Sequence, residues 1–323
     1  AFILVGIGLL YGMFGTLNMA DLAAKMGSGD PTLVFTALSL LVIGFGVEAA
    51  IFPLNAWLPD AHSSAPSSVS ALLSGIAIET GAYAVARIVY TIFAGQRFML
   101  VLGFLGLVTL LMGEMAASRQ RDDIKRMLAY SSVGQMGLIM LAFGMGTQDG
   151  AFAALFQLVS HTLAKGLLFL AVGYMIYRAG SKRISAFAGL GRKMPLTGAL
   201  IGIAVLSLVG VPPFAGFMSK LAVIKAGLGL HSPTYTGIIV LVLVATVIEV
   251  GYFLRLLQVM YFGEANDGAV AELPLSAMIP ITVLAALIIA IGVYPQMITG
   301  VLHQAAAGLV ERADYIKLVL GAG

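Results

Sequence analysis

Six ionisable side chains lie within stretches of this chain that are otherwise apolar. They are Glu48, Glu79, His161, Lys165, Lys220 and Glu249. Placing a charge in hydrocarbon costs roughly 3 kcal/mol on insertion scales, and Leu or Ala would avoid that cost. Both signs of charge occur here on several apolar stretches, which suits groups that bind and release a proton or a small cation inside a bilayer. The sequence therefore predicts a path for ions through a membrane.

The basic residues among these have neighbours that favour ion transfer. His161 and Lys165 are four residues apart, so they share one face of a helix. A lysine shielded from water gives up its proton more readily, whereas a nearby carboxylate holds it, so its protonation responds to neighbouring charges. Lys220 follows Pro212-Pro213, where a broken helix exposes carbonyl oxygens to a cation. For all six residues the alternative is a structural role as a polar contact between helices.

Three further polar residues lie near such a path, and each admits a structural role. Glu114 lies one helical turn before Ser118-Arg119, so a salt bridge at the level of the lipid headgroups and a role in ion entrance are both open. Lys125 begins an apolar stretch and is interpreted as an orientation anchor, with a role in the ion path as the alternative. We expect His62, in the loop after a broken helix, to be a hydrogen-bonded loop histidine.

The composition places the chain in the membrane class. Of its 323 residues 60% are hydrophobic and 10% are charged, whereas soluble domains have about 25% charged residues. The net charge of +3 is small, and no Lys/Arg cluster alternates with aromatic residues, which excludes a nucleic-acid binder. Cys is absent and the four His are scattered, which excludes thiolate, iron–sulfur and histidine metal sites. We therefore expect no cofactor and no metal in this chain.

Nine apolar stretches are about as long as the 20 residues that span a bilayer, which predicts an all-α membrane protein with nine transmembrane helices. They cover 1–17, 32–52, 67–94, 98–117, 126–146, 150–177, 195–230, 235–262 and 274–298. The second and the seventh are interrupted, because Pro53 ends one apolar run and Pro212-Pro213 splits the other. Carbonyl groups freed in this way need protein or a wet cavity around them, and broken helices recur in transporters.

The distribution of Lys and Arg among the eight loops predicts the orientation. The odd-numbered loops carry Lys25 and Arg97, and the even-numbered loops carry nine basic residues. These nine are Arg119, Arg121, Lys125, Arg126, Arg178, Lys182, Arg183, Arg192 and Lys193. The positive-inside rule then places the even loops in the cytoplasm and the chain, as a multi-pass protein, in the cell membrane.

A weak internal repeat divides the chain. Glu79-Thr-Gly81 on the third stretch and Glu249-Val-Gly251 on the eighth are five helices apart, and each follows a broken helix. An odd number of helices per repeat inverts the topology of the second copy. The predicted transmembrane domain, 1–299, has a partial first repeat (1–94), a second repeat (98–262) and a final helix (274–298). The tail, 300–323, is predicted to form an amphipathic helix at the membrane interface or against a partner subunit.

Five segments, in this order and spacing, match a known family. They are Trp57-Leu-Pro-Asp-Ala-His62, Ala65-Pro-Ser-Ser-Val-Ser-Ala-Leu-Leu73, Asp122-Asp-Ile-Lys-Arg-Met-Leu-Ala-Tyr-Ser-Ser-Val-Gly-Gln-Met-Gly137, Ser160-His-Thr-Leu-Ala-Lys165 and Gly210-Val-Pro-Pro-Phe-Ala-Gly-Phe-Met-Ser-Lys220. Together they make the chain similar to the antiporter-like subunits of respiratory complex I, group 4 membrane-bound hydrogenases and multisubunit Na⁺/H⁺ antiporters. That family has fourteen spans, and this chain resembles the sixth to the fourteenth. The resemblance implies further helices before Ala1.

The resemblance also implies how such a subunit works. Two inverted half-channels are joined by a polar axis of buried Lys, His and Glu, and the subunit itself binds no redox centre. Other membrane subunits surround it, and iron–sulfur, flavin or nickel–iron centres lie in the partner subunits, whose electron transfer drives pumping. The family usually has Lys at the position of Glu48 and often at that of Glu79, so the two carboxylates here suit Na⁺ as well as protons.

The sequence therefore predicts an ion-translocating subunit, for protons or Na⁺, of a redox-driven complex of the NADH-quinone oxidoreductase or hydrogenase type. Two alternatives remain open. One is a subunit of a multisubunit cation/proton antiporter that has no redox partners. The other is a structural membrane subunit whose ion path has degenerated.

Overall fold

The described part of the chain consists of helices and turns. The computed structural model describes residues 1–93, 96–264 and 271–321. Its helices are α1 (Phe2–Phe14), α2 (Met19–Lys25), α3 (Pro31–Glu48), α4 (Trp57–Ser64), α5 (Ser67–Leu72), α6 (Ile78–Ile88), α7 (Gln96–Arg119), α8 (Ile124–Phe143), α9 (Gln148–Ala179), α10 (Leu190–Lys193), α11 (Pro195–Val209), α12 (Ala215–Gly229), α13 (Pro233–Phe262), α14 (Leu275–Val293), α15 (Gln296–Val310) and α16 (Arg312–Leu320). The predicted all-α fold is confirmed, since the described residues contain no strand.

Most of the predicted membrane-spanning stretches are continuous helices. Six of the described helical segments are long and apolar enough to cross a bilayer, and the number rises to eight if each of two bent helix pairs is one span. The first predicted stretch is the weakest, because α1 has 13 residues and makes an angle of 58° with the next helical segment. Two π-helical turns, Leu73–Ala77 and Val89–Phe93, extend α5 and α6 into one span.

Helices α8 and α9 form the centre of the molecule. Nearly every side chain of α8 is buried, between α7 on one side and α9 on the other. Helix α9 has 32 residues and also packs against α5, α11, α12, α14 and α15. A polar side chain on the facing sides of α8 and α9 is therefore surrounded by protein rather than lipid.

Glycines allow α7 and α8 to touch through their backbones. A Cβ atom at Gly137 would lie 2.1 Å from the backbone nitrogen of Leu110, and one at Gly113 would lie 2.3 Å from that of Gly134. Close backbone contact at small residues is a common basis of helix association in membranes, where the lipid is as apolar as the side chains. The contact fixes α8, which carries part of the candidate site.

The helix break at Pro212-Pro213 has the expected form. Helix α11 ends at Val209, and Gly210 has φ 88°, a left-handed conformation that favours glycine. The chain then passes so close to itself that a Cβ at Gly216 would lie 1.8 Å from the carbonyl oxygen of Ser207. The break therefore requires glycine on both of its sides.

The first break, after α3, is held by side chains that replace lost helical hydrogen bonds. The single Trp of the chain, Trp57, donates its indole N–H to the carbonyl of Val47 at 2.8 Å. The backbone N–H of Phe52 donates to Oγ1 of Thr109 at 3.1 Å. Both predicted interruptions are thus present, with their backbone groups bonded inside the protein as a membrane requires.

Helix α14 ends beside the second break. A Cβ at Gly292 would lie 1.9 Å from the carbonyl oxygen of Pro213, so the end of α14 touches the proline pair. Helix α15 then runs along α9 and buries Leu302, Ala306 and Leu309. The boundary that the sequence analysis places between 298 and 300 falls inside this helix.

The C-terminal helices also contact the N-terminal part of the chain. Helix α16 packs against α2, and the guanidinium of Arg312 donates to the carbonyl of Ala23. Arg87 of α6 donates to the carbonyl of Gly308 at 3.3 Å, and its guanidinium lies 4.7 Å from the centre of the Tyr315 ring. The predicted tail region therefore packs on helices of its own chain.

Loops that the sequence places in the cytoplasm meet at one end of the bundle. The backbone N–H of Ile124 donates to the carbonyl of Lys182 at 3.0 Å. The ammonium of Lys182 donates to the carbonyl of Ser63, and Arg126 forms an ion pair with Asp60. These contacts join the even-numbered loops 52–66, 120–123 and 180–183. The opposite end of the bundle is the outer face that the positive-inside rule predicts.

The glycine contact between α7 and α8 predicts unequal effects of two alanine substitutions. A Cβ at Gly106 would lie 2.3 Å from the backbone nitrogen of Leu141, whereas at Gly103 the nearest atom would be 3.6 Å away. We expect Gly106→Ala to lower the free energy of unfolding by about 1–3 kcal/mol. Gly103→Ala should leave it unchanged or raise it, since Ala favours a helix over Gly by up to about 1 kcal/mol. Thermal unfolding in detergent measures both, and equal stabilities would contradict the close contact.

Candidate functional site

The centre of the candidate site is an ion pair between α12 and α13. Glu249 is 1% exposed and Lys220 is 8% exposed, and the ammonium of Lys220 donates to Oε2 of Glu249. The same ammonium lies 3.5 Å from the carbonyl oxygen of Val209, the last residue of α11. Lys220 thus bonds both the buried carboxylate and a carbonyl freed by the helix break.

Two amide side chains extend from this pair to α9. Nε2 of Gln135 donates to Oε1 of Glu249 at 2.7 Å, and Nε2 of Gln157 donates to Oε1 of Gln135 at 2.6 Å. Oε1 of Gln157 is buried and has no hydrogen-bond partner among the described residues. The row Lys220–Glu249–Gln135–Gln157 therefore ends on a free acceptor.

Lys165 occupies the middle of the site. It is 0% exposed and donates to Oγ of Ser131 at 2.8 Å and to the carbonyl of Leu128 at 2.9 Å. The charges of Glu249 and Glu114 both act on this ammonium. Because its direct partners are neutral, the charge of Lys165 depends on the state of the surrounding carboxylates.

A second acid–base pair joins α6 to α9. Oε1 of Glu79 lies 2.7 Å from Nδ1 of His161, and the hydroxyl of Thr162 donates to the other carboxylate oxygen. Nε2 of His161 is buried without a partner in the described part of the chain. An ionised carboxylate only accepts hydrogen bonds, so in that state the pairing places a proton on Nδ1. The pair is arranged for proton exchange between carboxylate and imidazole.

Glu114 of α7 is buried, and the salt bridge at headgroup level considered from the sequence is absent from the described structure. It is 1% exposed, and Oε2 accepts a hydrogen bond from the hydroxyl of Tyr252 at 2.8 Å. Its other oxygen has no partner among the described atoms. A Cβ at Gly134 would lie 2.2 Å from that oxygen, so Gly134 makes room for the carboxylate. Tyr252 is three residues from Glu249 on α13, which brings the two carboxylates to one region.

Two sequence-predicted residues lie outside this cluster. Glu48 is exposed at the end of α3, and its Oε1 lies 3.4 Å from the hydroxyl of Thr80, the residue after Glu79. Lys125 is buried at the cytoplasmic end of α8, where its ammonium donates to the carbonyl of Ala65. That contact fits the orientation anchor and places Lys125 away from the buried pairs.

The prediction that His62 is a hydrogen-bonded loop histidine is wrong. It is 0% exposed, and neither ring nitrogen has a partner in the described structure. Its ring instead stacks on Phe169 of α9, with ring centres 4.6 Å apart and planes within 10°. Stacking on an apolar ring in the core holds the histidine without a hydrogen bond.

The sequence analysis missed the neutral polar residues of the site. A carbonyl and three polar side chains line one face of α8, at spacings of three and four residues: Leu128, Ser131, Ser132 and Gln135. Helix α9 presents Gln157, His161 and Lys165, each four residues apart. This spacing is readable in the sequence, but only the ionisable residues were considered. The described residues contain no group of three metal-ligating side chains, and no cofactor site is evident in them.

The fold and the site together define a multi-pass membrane protein with ionisable groups held inside its helix bundle. The transmembrane family described as NADH:quinone oxidoreductase/Mrp antiporter matches residues 1–249. The chain belongs to this family, which confirms the resemblance found in the sequence. Its location is the cell membrane, as predicted.

Similar proteins come from respiratory and antiporter complexes. NADH-quinone oxidoreductase subunit N of Desulforudis audaxviator is 37% identical in an alignment 324 residues long, gaps included, that covers 94% of this chain and 64% of that protein. A chain of the archaeal membrane-bound sulfane sulfur reductase has a TM-score of 0.89 and 39% identity, covering 98% of this chain and 64% of that one. A chain of the Mrp complex from Dietzia sp. has a TM-score of 0.90 and 26% identity, covering 99% and 67%. This chain thus spans about two thirds of its relatives.

The buried ion pair predicts that removing one of its two charges destabilises the protein more than removing both. Lys220→Met leaves the carboxylate of Glu249 unpaired, so we expect the free energy of unfolding to fall by about 3–5 kcal/mol at neutral pH. The double variant Lys220→Met/Glu249→Gln removes both charges and should recover most of that loss. Thermal or detergent unfolding of the purified chain measures the two.

Lys25→Met is the matched control for this experiment. Lys25 pairs with Asp21 at 2.8 Å, but both side chains are partly exposed. Its loss should change the free energy of unfolding by about 1 kcal/mol or less. Equal destabilisation by the single and the double Lys220 variants would contradict the pairing.

Proposed function

We propose that this chain is the ion-translocating part of an antiporter-like subunit in a redox-driven membrane complex, and that the translocated ion is the proton. Family membership and the likeness to a quinone oxidoreductase subunit and to a respiratory complex support this function. The observation that carries it is the set of two buried acid–base pairs, one between α12 and α13 and one between α6 and α9, together with the hydrogen bonds that connect α8 to Glu249 and Lys165.

The order of the groups suits stepwise proton transfer. Glu48 lies at one end, near the hydroxyl of Thr80, the residue that follows Glu79. Glu79 shares a hydrogen bond with His161, and Lys165 follows one turn later on the same face of α9. A change of protonation at one group alters the charge felt by the next, which is how the site passes a proton along.

The second half of the path consists of Lys165, Lys220 and Glu249. The carboxylate of Glu249 is bonded to Lys220, and its charge also acts on Lys165, so both ammonium groups respond to its protonation. Gln135 cannot titrate, and its role is to orient Glu249. Glu114, bonded to Tyr252, adds a second negative charge that acts on Lys165. Lys125 holds a loop in this proposal and takes no part in transfer.

The arrangement favours protons over Na⁺. A sodium ion prefers several oxygen ligands free of nearby cations. Here the carboxylate of Glu249 is bonded to an ammonium, and that of Glu79 is bonded to an imidazole. A cation entering either pair would have to displace or repel the base, whereas a proton only moves between the partners.

An antiporter without electron transfer is the second candidate, favoured by the TM-score of 0.90 to a chain of the Mrp complex. Isolation of the native complex distinguishes the two functions. In the redox-driven complex, iron–sulfur, flavin or nickel–iron absorbance should co-purify with this chain, and the centres would lie in partner subunits. Co-purification of membrane subunits without any such absorbance would favour the antiporter.

Pumping should depend on Lys165 and Glu249. We expect Lys165→Met and Glu249→Gln to reduce proton pumping by about 100-fold or more, since each removes a group that must bind and release the proton. Electron transfer by the partner subunits should continue. A pH-sensitive dye inside vesicles that contain the complete complex measures pumping, and acceptor reduction measures electron transfer.

Lys317→Met is the control, because Lys317 is an exposed lysine of α16. This variant should pump like the unmodified complex. Unchanged pumping by both Lys165→Met and Glu249→Gln would overturn the proposed function.

A further inference from the structure

A cavity of about 300 Å³ lies between α9, α12 and α15, beside the candidate site. Its walls include Asp149 and Phe156 of α9, Lys225 of α12, and Thr299 and His303 of α15. We call this cavity the vestibule. Its volume is enough for several water molecules, each of which takes up about 30 Å³ in the liquid.

Three ionisable residues stand at the vestibule and are exposed: Asp149, Lys225 and His303. None of them belongs to the buried pairs described above. Charged and titratable side chains around a small cavity keep water in it and exchange protons with that water. The vestibule thus has the chemistry of a place where protons leave or enter bulk solvent.

Aromatic rings close the vestibule towards the interior. The ring of His303 stacks on Phe152, with centres 3.9 Å apart and planes within 5°. Phe152 meets Phe156 edge to face at 5.9 Å, and Phe156 is buried. These three rings form a barrier between the exposed polar rim and the core of the bundle.

The barrier borders the candidate site directly. Phe156 is followed by Gln157, whose buried Oε1 has no partner among the described atoms and whose amide bonds the Glu249 row. Leu221 lines both the vestibule and a second cavity, of about 220 Å³, that Lys220 also lines. Water that passes the rings would therefore reach the cavity beside Lys220.

The vestibule lies at the end of the bundle opposite the basic loops. Asp149 is at the start of α9, whereas Lys182, in the cytoplasmic group of loops, follows its end. A helix of 32 residues is about 48 Å long. The vestibule thus opens on the outer face by the positive-inside rule.

We propose that the vestibule is the outer mouth of the proton path and that the stack of His303 on Phe152 is its gate. The proposal rests on the proposed function, because it adds an exit to the same relay. Asp149 and Lys225 hold water at the rim, and displacement of the His303 ring would connect that water to the ammonium of Lys220, which is bonded to Glu249.

The natural absence of cysteine from the chain makes the mouth testable by chemical labelling. In the complete complex in oriented vesicles, Thr299→Cys should react with a membrane-impermeant methanethiosulfonate reagent added to the outer face only. The attached group fills the vestibule, so proton pumping should fall by about tenfold or more. Treatment of the complex with the cysteine-free chain corrects for cysteines of other subunits.

Two exposed positions serve as controls. Thr234→Cys, at the outer end of α13, should be labelled from the outside without loss of pumping, and Ser185→Cys should be labelled from the cytoplasmic side. If Thr299→Cys is not labelled, or is labelled without loss of pumping, the vestibule is not the mouth of the proton path. Loss of pumping in Glu249→Gln in the same preparation shows that the proposed function stands independently of that result.

A deeper position tests the gate. Leu138 is 2% exposed and lines the second cavity together with Lys220, and Leu138→Cys should react slowly while the stack is closed. Adding His303→Ala removes the ring over Phe152, so labelling should become about tenfold faster or more, with no change in the rate for Thr234→Cys. An unchanged rate at Leu138→Cys would show that the stack is not the gate.

Discussion

The ion pair between Lys220 and Glu249 is the contact on which the second half of the bundle depends. Inside a membrane, no water is present to solvate a charge or to hydrogen-bond a carbonyl group freed by a helix break. The ammonium of Lys220 bonds the carboxylate of Glu249 and lies 3.5 Å from the carbonyl oxygen of Val209, where α11 ends. It therefore stabilises both the buried charge and the freed carbonyl. The same group thus holds the broken backbone and the buried carboxylate together.

Close packing explains how so many polar groups fit at the centre. Glycines bring the backbones of α7 and α8 into contact and leave room for the carboxylate of Glu114 against Gly134. Hydroxyl and amide side chains of α8 then supply the neutral partners that Lys165 and Glu249 need. A buried polar network is stable only when nearly all its members are bonded, and among the described residues the unbonded atoms of this one include Oε1 of Glu114, Oε1 of Gln157 and Nε2 of His161.

Sequence alone predicted the helices, both breaks and most charged members of the site. Prolines, long apolar stretches and isolated charges can be recognised directly in a sequence, because each has a known consequence for a helix in lipid. The pairing of Glu79 with His161, or the stacking of His62 on Phe169, depends on which helices are neighbours. Gln135 was missed for another reason: an amide carries no charge, and its importance appears only once Glu249 is seen beside it.

The last two helices give the bundle a mechanical property. Helix α14 abuts the proline pair at Gly292, α15 lies along α9, and Arg312 and Arg87 tie α15 and α16 to α2 and α6. The segment 292–320 therefore connects the two halves of the chain through direct contacts. A tilt of α2 or α6 would have to bend this segment or break one of these contacts, so the segment couples the two halves of the chain mechanically.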